Sequence, residues 1–242
     1  MLIRWTTLAD IPTWQALAPD VPESEMARAI AQYEAVLAVD RRTQACLGLL
    51  AFDREAKQIT FEHFANPAAE EKLRLVAHRQ FEPCSKSFHC RYPDFIRKAR
   101  EEHCPVCNDE PMPPDQNDIA MLECSWVCGE YPGQGRLFGK MYVMPRRHAF
   151  HFEDMPAEEM AGFMREAQLV GAALRKVTGA VKINYEMHSN SGAHLHMHLF
   201  PRYLDDDFPG ISINYQLNEP PPYEDYDEYL WFIGRMREEL GL

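Results

Sequence analysis

The sequence predicts an α+β protein in two units, and three observations carry that prediction. Short apolar runs of strand character alternate along the chain with amphipathic stretches of helical spacing. The longest such stretch sets Met160, Phe163, Met164, Ala167, Val170, Gly171, Leu174 and Val177 on one stripe, a core-packing face, with Gly179 as its natural stop. Between the two halves, an irregular cysteine-bearing connector from Glu82 to Asp94 interrupts the pattern. The division expected is a small α/β unit at residues 1–85 and a larger α+β unit at residues 95–242.

In the first unit Leu2 to Thr6 reads as a strand and Ala27 to Val39 as helical. Ala45 to Asp53 and Gln58 to Phe64 read as two strands around the turn Asp53 to Lys57, and a helix runs from Ala68 to about Arg79. In the second unit Phe95 to Glu102 is a short helix leading into Cys104-Pro105-Val106-Cys107. Ile119 to Val127 and Phe138 to Met144 read as strands, linked by the Gly- and Pro-bearing turn Tyr131 to Gly135. The long helix follows, with Asp154 as N-cap and Pro156 in its first turn. Val181 to Met187 and His194 to Phe200 are neighbouring antiparallel strands, and the tail Tyr223 to Leu240 ends in another amphipathic helix.

The 242 residues suffice for a sizeable core, and 46% hydrophobic with 26% charged residues is ordinary for a globular chain. A formal net charge of −12 argues against general nucleic-acid or anionic-membrane binding, so any phosphate must be held by a local pocket. No apolar run approaches the ~20 residues of a membrane helix. Met1 to Asp10 lacks a basic-then-apolar leader, and seven cysteines in that context point to reduced thiols and metal binding in a cytoplasmic protein.

The most informative stretch is His194-Leu195-His196-Met197-His198-Leu199-Phe200, followed by Pro201 and Arg202. On a strand, alternation puts the three imidazoles on one face and Leu195, Met197 and Leu199 on the other. The apolar side anchors the strand and leaves three imidazoles at a cleft. Two chemistries fit. The three rings could hold one catalytic metal ion, or the middle ring could attack phosphorus and form a covalent nucleotidyl intermediate.

Cys104-x-x-Cys107 has the spacing at which two thiolates bite one zinc ion, and also that of a redox pair. Two more ligands are needed for a closed site, with His148 and His194 as candidates, while Cys84, His89 and Cys90 form a competing set in the connector. Cys46, Cys124 and Cys128 read as core residues.

Asn184-Tyr185, Asn190 and the run from His194 through Pro201-Arg202-Tyr203, with Asp205, Asp206 and Asp207 after it, resemble the histidine-triad (HIT) family, whose signature alternates three histidines with apolar residues. Cys104-Pro105-Val106-Cys107 and the stretch Gly139 to His148, ending Pro145-Arg146-Arg147-His148, look like that family's upstream elements. The resemblance covers roughly residues 95 to 210. It implies a HIT-like antiparallel sheet with packed helices, and a nucleotide hydrolase that attacks the α-phosphorus of a nucleoside polyphosphate or phosphoramidate. His196 would be the nucleophile, and His198 would bond phosphate oxygens near the scissile bond. Asn184, Asn190 and Ser191 would bind substrate. The resemblance also implies a structural zinc on Cys104, Cys107, His148 and His194, resolving the ligand set that spacing leaves open. The partner it implies is a small nucleotide, with pairing as a homodimer through the helix and the edge strand unless the N-terminal unit occupies that surface. Rival functions are a nucleotidyltransferase or phosphorylase of the same superfamily, or a metal-dependent enzyme with all three histidines on the ion.

The chain also departs from the family pattern. Ser189-Asn190-Ser191-Gly192-Ala193 replaces the usual Gly-Gln lead-in, and Glu130 is only a weak stand-in for the usual ribose-binding acid. His151 and His188 match no family role and read as isolated, non-catalytic histidines. The first unit has a faint likeness to half of a GNAT acetyltransferase, from Ile3-Arg4 to Pro12, without the loop that cradles the coenzyme A pyrophosphate; it reads as a structural or partner-binding addition.

Overall fold

The computed structural model describes residues 1–82 and 87–242. The chain divides into two units, Met1–Arg97 and Lys98–Leu242.

In the first unit strands β1 (Leu2–Trp5), β2 (Ala35–Val39), β3 (Cys46–Asp53) and β4 (Gln58–Phe64) form one wholly antiparallel sheet in that order. Helices α1 (Ile11–Leu17) and α2 (Glu23–Ala31) connect β1 to β2, and α3 (Pro67–Phe81) follows β4. Alternation assigns the two faces. Ala35, Leu37, Val39, Leu49 and Ala51 pack with Ile11, Trp14, Met26 and Ala29 of α1 and α2. Val36, Ala38, Leu50 and Phe52 pack with Ala69, Leu73 and Ala77 of α3. The sheet is dry on both sides, which is why β2 is apolar at every position. Ala27 to Val39 is therefore not one helix: α2 stops at Ala31, and the Ala-Val-Leu-Ala-Val run becomes a central strand buried on both faces.

The short helix expected at Phe95 to Glu102 lies earlier, as α4 (Tyr92–Lys98), followed by a 3-10 turn at Glu101–His103. Cys46, Cys104, Cys107, Cys124 and Cys128 are free thiols. Cys90 is disulfide-bonded, so reduced thiols are not general here and its sulfur is no thiolate ligand. The competing ligand set includes Cys84, which lies outside the described residues.

The second unit carries strands β5 (Gln116–Met121), β6 (Ser125–Glu130), β7 (Met141–Pro145), β8 (Lys182–Glu186) and β9 (Met197–Arg202) in an antiparallel sheet of order β5-β6-β7-β9-β8. Ile119 to Val127 is two strands, because the chain turns at Leu122 to Cys124 and pairs back on itself. Cys124 sits half-buried in that turn rather than in the core, its N–H donating to Glu166 at 2.9 Å; Cys128 is buried and Cys46 half-buried. Helix α5 (Ala157–Thr178) begins at Pro156, not Asp154, and ends at Gly179, whose φ of +70° suits a residue without a Cβ. Helix α6 (Tyr226–Glu239) closes the unit. Both helices pack one face of the sheet: Val127, Met141, Val143, Ile183, Met197 and Leu199 meet Phe163, Val170 and Leu174 of α5 and Tyr229 and Phe232 of α6. At Gly171 any added Cβ would collide with the Tyr185 hydroxyl, so α5 lies close against β8. The opposite sheet face is left to other residues.

Candidate functional site

β9 begins at Met197, later than the alternation suggests, and only His198 of the three histidines lies within it. Pro145 has no N–H to extend the ladder from β7, and the carbonyl there accepts instead from His194 Nε2 at 2.7 Å. The His194 ring is thereby turned away from its two companions.

Its Nδ1 lies 3.5 Å from the sulfurs of both Cys104 and Cys107, while His148 Nδ1 lies 3.4 Å from Cys107 Sγ. The four donor atoms of Cys104, Cys107, His148 and His194 all fall within 4.8 Å of one another. Among the described residues this is the one His/Cys/Asp/Glu group compact enough to hold a metal ion. The remote nitrogens fix both tautomers: His148 Nε2 donates to the Ala99 carbonyl at 2.8 Å, and His194 Nε2 to that of Pro145. A carbonyl only accepts, so each Nε2 carries the proton and each Nδ1 presents a lone pair to the sulfurs. Burial, together with the adjacent Cys104, pushes the Cys107 thiol up to about 12, and a cation at the centre would offset that penalty. Since His194 faces the sulfurs, the three histidines do not converge on one ion.

His196 is fixed by the same logic. Its Nδ1 donates to the backbone carbonyl of His194 at 2.8 Å, leaving Nε2 as a bare lone pair. Burial lowers its pKa, so the ring is neutral at pH 7. Gly192 passes so close that a Cβ there would sit 3.2 Å from His196 Cε1, and the peptide backbone lies directly against the ring. Asn190 and Ser191 are in this same loop, half-buried and exposed respectively. Ser189 opens it with a φ of +47° and a buried hydroxyl that has no partner.

His198 lies edge-on to His196, with ring centroids 4.8 Å apart. Its Nδ1 is buried without a hydrogen-bond partner. Burial and the positive charge of Lys140 drive its pKa down to about 2, so this ring stays neutral throughout the working pH range. Lys140 is itself fully buried, with Nζ donating to Glu130 Oε2 at 2.6 Å and lying 4.6 Å from the Tyr142 ring centroid. Hairpin register explains the grouping, since Cys128, Tyr142 and His198 stand directly across from one another on β6, β7 and β9. Glu130 is occupied by Lys140 and is not a free ribose-binding acid.

Asn184 on β8 pairs with Phe200 and lines a cavity of about 230 Å³ with Lys182, Arg202 and Asp206. His151 is exposed beside a 3-10 turn, where its N–H donates to Asp154. His188 is not isolated: its Nε2 lies 2.8 Å from Glu186 Oε2, and its ring is 5.9 Å from His198 and 5.7 Å from Tyr215. Glu186 stands directly across from His198. Sequence reading missed Lys140 and the Glu186–His188 pair; the i, i+2 spacing of an acid and a histidine just ahead of the triad was the one local signal for the pair.

The fold and these side chains define an α+β unit with a histidine-bearing strand beside a Cys2His2 cluster. Residues 138–205 match the HIT domain, a span that takes in β7, α5, β8, β9 and all three triad histidines but neither cysteine of the cluster. Among solved structures, a histidine triad protein from Bradyrhizobium japonicum is 25% identical, with a TM-score of 0.45, covering 52% of this chain and 90% of its own. A HIT protein from Sinorhizobium meliloti 1021 gives the same values. A Zn-bound histidine triad family protein from Mycobacterium smegmatis is 19% identical, with a TM-score of 0.43, covering 59% of this chain and 96% of its own. No curated protein matches. No helix among the described residues is long and apolar enough to cross a membrane.

Proposed function

We propose that the second unit is a nucleotide hydrolase in which His196 Nε2 attacks the α-phosphorus of a nucleoside polyphosphate or phosphoramidate. The P–O or P–N bond to the leaving group breaks, a nucleotidyl-histidine forms, and water then releases the nucleoside monophosphate and restores the ring. The observation that carries this reading is the 2.8 Å bond from His196 Nδ1 to the His194 carbonyl, which puts the proton of the neutral ring on Nδ1 and leaves Nε2 as the lone pair a nucleophile requires; burial favours that neutral form. The match of residues 138–205 to the HIT domain supports it independently. His198, neutral and with an unpartnered Nδ1, is suited to bond a phosphate oxygen. Asn190 and Ser191, on the loop against His196, supply further polar contacts to that phosphate.

Cys104, Cys107, His148 and His194 would hold a structural zinc ion. A tetrahedral ion with bonds of about 2.3 Å to sulfur and about 2.0 Å to nitrogen keeps those atoms about 3.5 Å apart. The three S···N separations of 3.4–3.5 Å fit that spacing, and both lone pairs point the right way. When bound, the ion supplies folding energy and anchors the start of the triad segment, with no part in bond breaking.

Intact-protein mass spectrometry after a rapid acid-free quench, with a panel of nucleoside substrates, tests the reading. Addition of one nucleoside monophosphate to the wild type and none to His196→Ala is the expected result. Near-normal turnover by His196→Ala would sink it.

A further inference from the structure

The proposed first step leaves a charge unaccounted for. When the P–O or P–N bond breaks, the electron pair stays on the leaving atom, which needs a proton unless it is a weak base. The nearby groups are poor donors. His196 is the nucleophile and its one proton is committed to the His194 carbonyl. His198 is neutral, and Lys140 is fully buried against Glu130.

Resting on that reading of His196, we propose that His188 is a further catalytic residue, the acid that protonates the leaving group and then the base that activates water. Glu186 provides the support such a role needs. Its carboxylate accepts from His188 Nε2 at 2.8 Å, orienting the ring and leaving Nδ1 as the nitrogen available to a substrate. Glu186 is itself placed by strand pairing opposite His198, so the pair is built into the edge of the same sheet. The His188 ring neighbours His198 at 5.9 Å and Tyr215 at 5.7 Å, and His196 lies one ring further on. With 41% of its side chain exposed, His188 can exchange protons with solvent between turns. The charged and titratable groups around it are thus Glu186, His198 and Tyr215, with His196 and Lys140 behind them.

The balance closes. As Nε2 of His196 bonds to phosphorus, the leaving oxygen or nitrogen takes the bonding pair and receives the proton of His188 Nδ1. In the second half, neutral His188 removes a proton from water as the water oxygen bonds to phosphorus. The P–N bond then breaks and its pair returns to His196 Nε2. Each group ends as it began.

A surface ion pair with no chemical role would predict something different, because such pairs contribute about 0–1 kcal/mol to stability and nothing to leaving-group preference. The test compares His188→Asn and Glu186→Gln with the wild type on two substrates of each of the four ribonucleosides. One is the 4-nitrophenyl ester of the 5′-monophosphate, whose leaving group departs without a proton; the other is the n-butyl phosphoramidate, whose amine must be protonated. General acid catalysis is typically worth about 10²–10⁴-fold. In a single turnover we expect His188→Asn to form the His196 adduct at least about 100-fold more slowly from the amidate and less than about 3-fold more slowly from the nitrophenyl ester, with Glu186→Gln between it and the wild type, while hydrolysis of the adduct slows equally whichever substrate formed it. Equal slowing of adduct formation from both substrates, or none, would overturn the role of His188 alone. Absence of the adduct and of wild-type turnover on every substrate would overturn the nucleophile reading and this proposal with it.

Discussion

The two sheets of this protein are built from the same material and put to different use. The sheet of the first unit has helices on both faces, α1 and α2 on one and α3 on the other, so every central side chain is spent on packing. Three of its buried polar residues, Thr6, Asp10 and Glu34, have partners within the unit, namely the Ala35 carbonyl, the Arg4 guanidinium and the Arg54 backbone N–H, and of the fourth, Gln80, Nε2 donates to the His89 carbonyl while Oε1 has no partner. The sheet of the second unit puts α5 and α6 on one face only. Its other face carries Lys140, Tyr142 and His198, and a small apolar cluster of Phe200, Phe208, Ile213 and Leu137 covers part of it. A face without a helix can keep polar groups unpartnered, and that is where the candidate chemistry gathers.

The contrast can be broken at several points, and the largest effect is expected at His196. Under the proposed reading, His196→Ala lowers kcat on the order of 10⁴-fold or more while circular dichroism and metal content stay unchanged. Next is metal removal: chelation or Cys104→Ser should lower the melting temperature of the second unit by about 10 °C or more, as loss of several kcal/mol implies, and leave the first unit's transition in place. Calorimetry resolves the two, and an apo protein with unchanged transitions would contradict the cluster's structural role. In the first unit, Leu50→Ala should cost about 2–5 kcal/mol of that unit's stability without altering kcat of the second. Chemical denaturation followed by assay measures both.

The smallest effect concerns Asp206, which Arg202 grips through both guanidinium arms at 2.8 and 3.0 Å. That pairing holds its pKa at about 2, below the ordinary value of about 3.9. A lowered carboxylate pKa contributes stability that is fully present above about pH 4 and is lost as pH falls toward 2. Asp206→Asn should therefore cost on the order of 2 kcal/mol at pH 7 and flatten stability between pH 4 and 2. A denaturation series across that window checks it.

How much of this was legible varies with the physics of each residue. The triad stood out because three imidazoles in strict alternation, backed by apolar residues, do nothing for packing that Val or Thr would not do better. The long helix stood out because its stripe spans many turns. The Ala35–Val39 strand did not, since a short apolar run fits a buried strand or a buried helix equally well until its partners are known. The turn at Leu122 to Cys124 was hidden because Leu122-Glu123-Cys124 contains none of the Gly, Pro, Asn or Asp that usually mark one. Cys104 and Cys107 announce themselves by spacing, but His148 and His194 stand 41 and 90 residues further along, and chain folding alone brings their nitrogens to the sulfurs. Glu130 read only as a weak stand-in for a ribose-binding acid and Lys140 as one residue of the Gly139 to His148 stretch; that they pair, with Lys140 Nζ fully buried, follows from the pairing of β6 with β7, whose last matched residues are Gly129 and Met141. His188 looked solitary because its partners Glu186, His198 and Tyr215 come from a strand edge, the neighbouring strand and a distant loop.

His194 belongs to two structures at once. Its ring faces Cys104 and Cys107, while its carbonyl, two bonds from the same Cα, keeps the proton on His196 Nδ1. The residue is buried, so no water stands ready to replace that carbonyl if it swings aside. Whatever loosens the ring from its place against the sulfurs also loosens the choice of which His196 nitrogen is bare. The cluster and the nucleophile are therefore not separable parts that happen to adjoin; they are the two arms of one lever, pivoting on a single α-carbon.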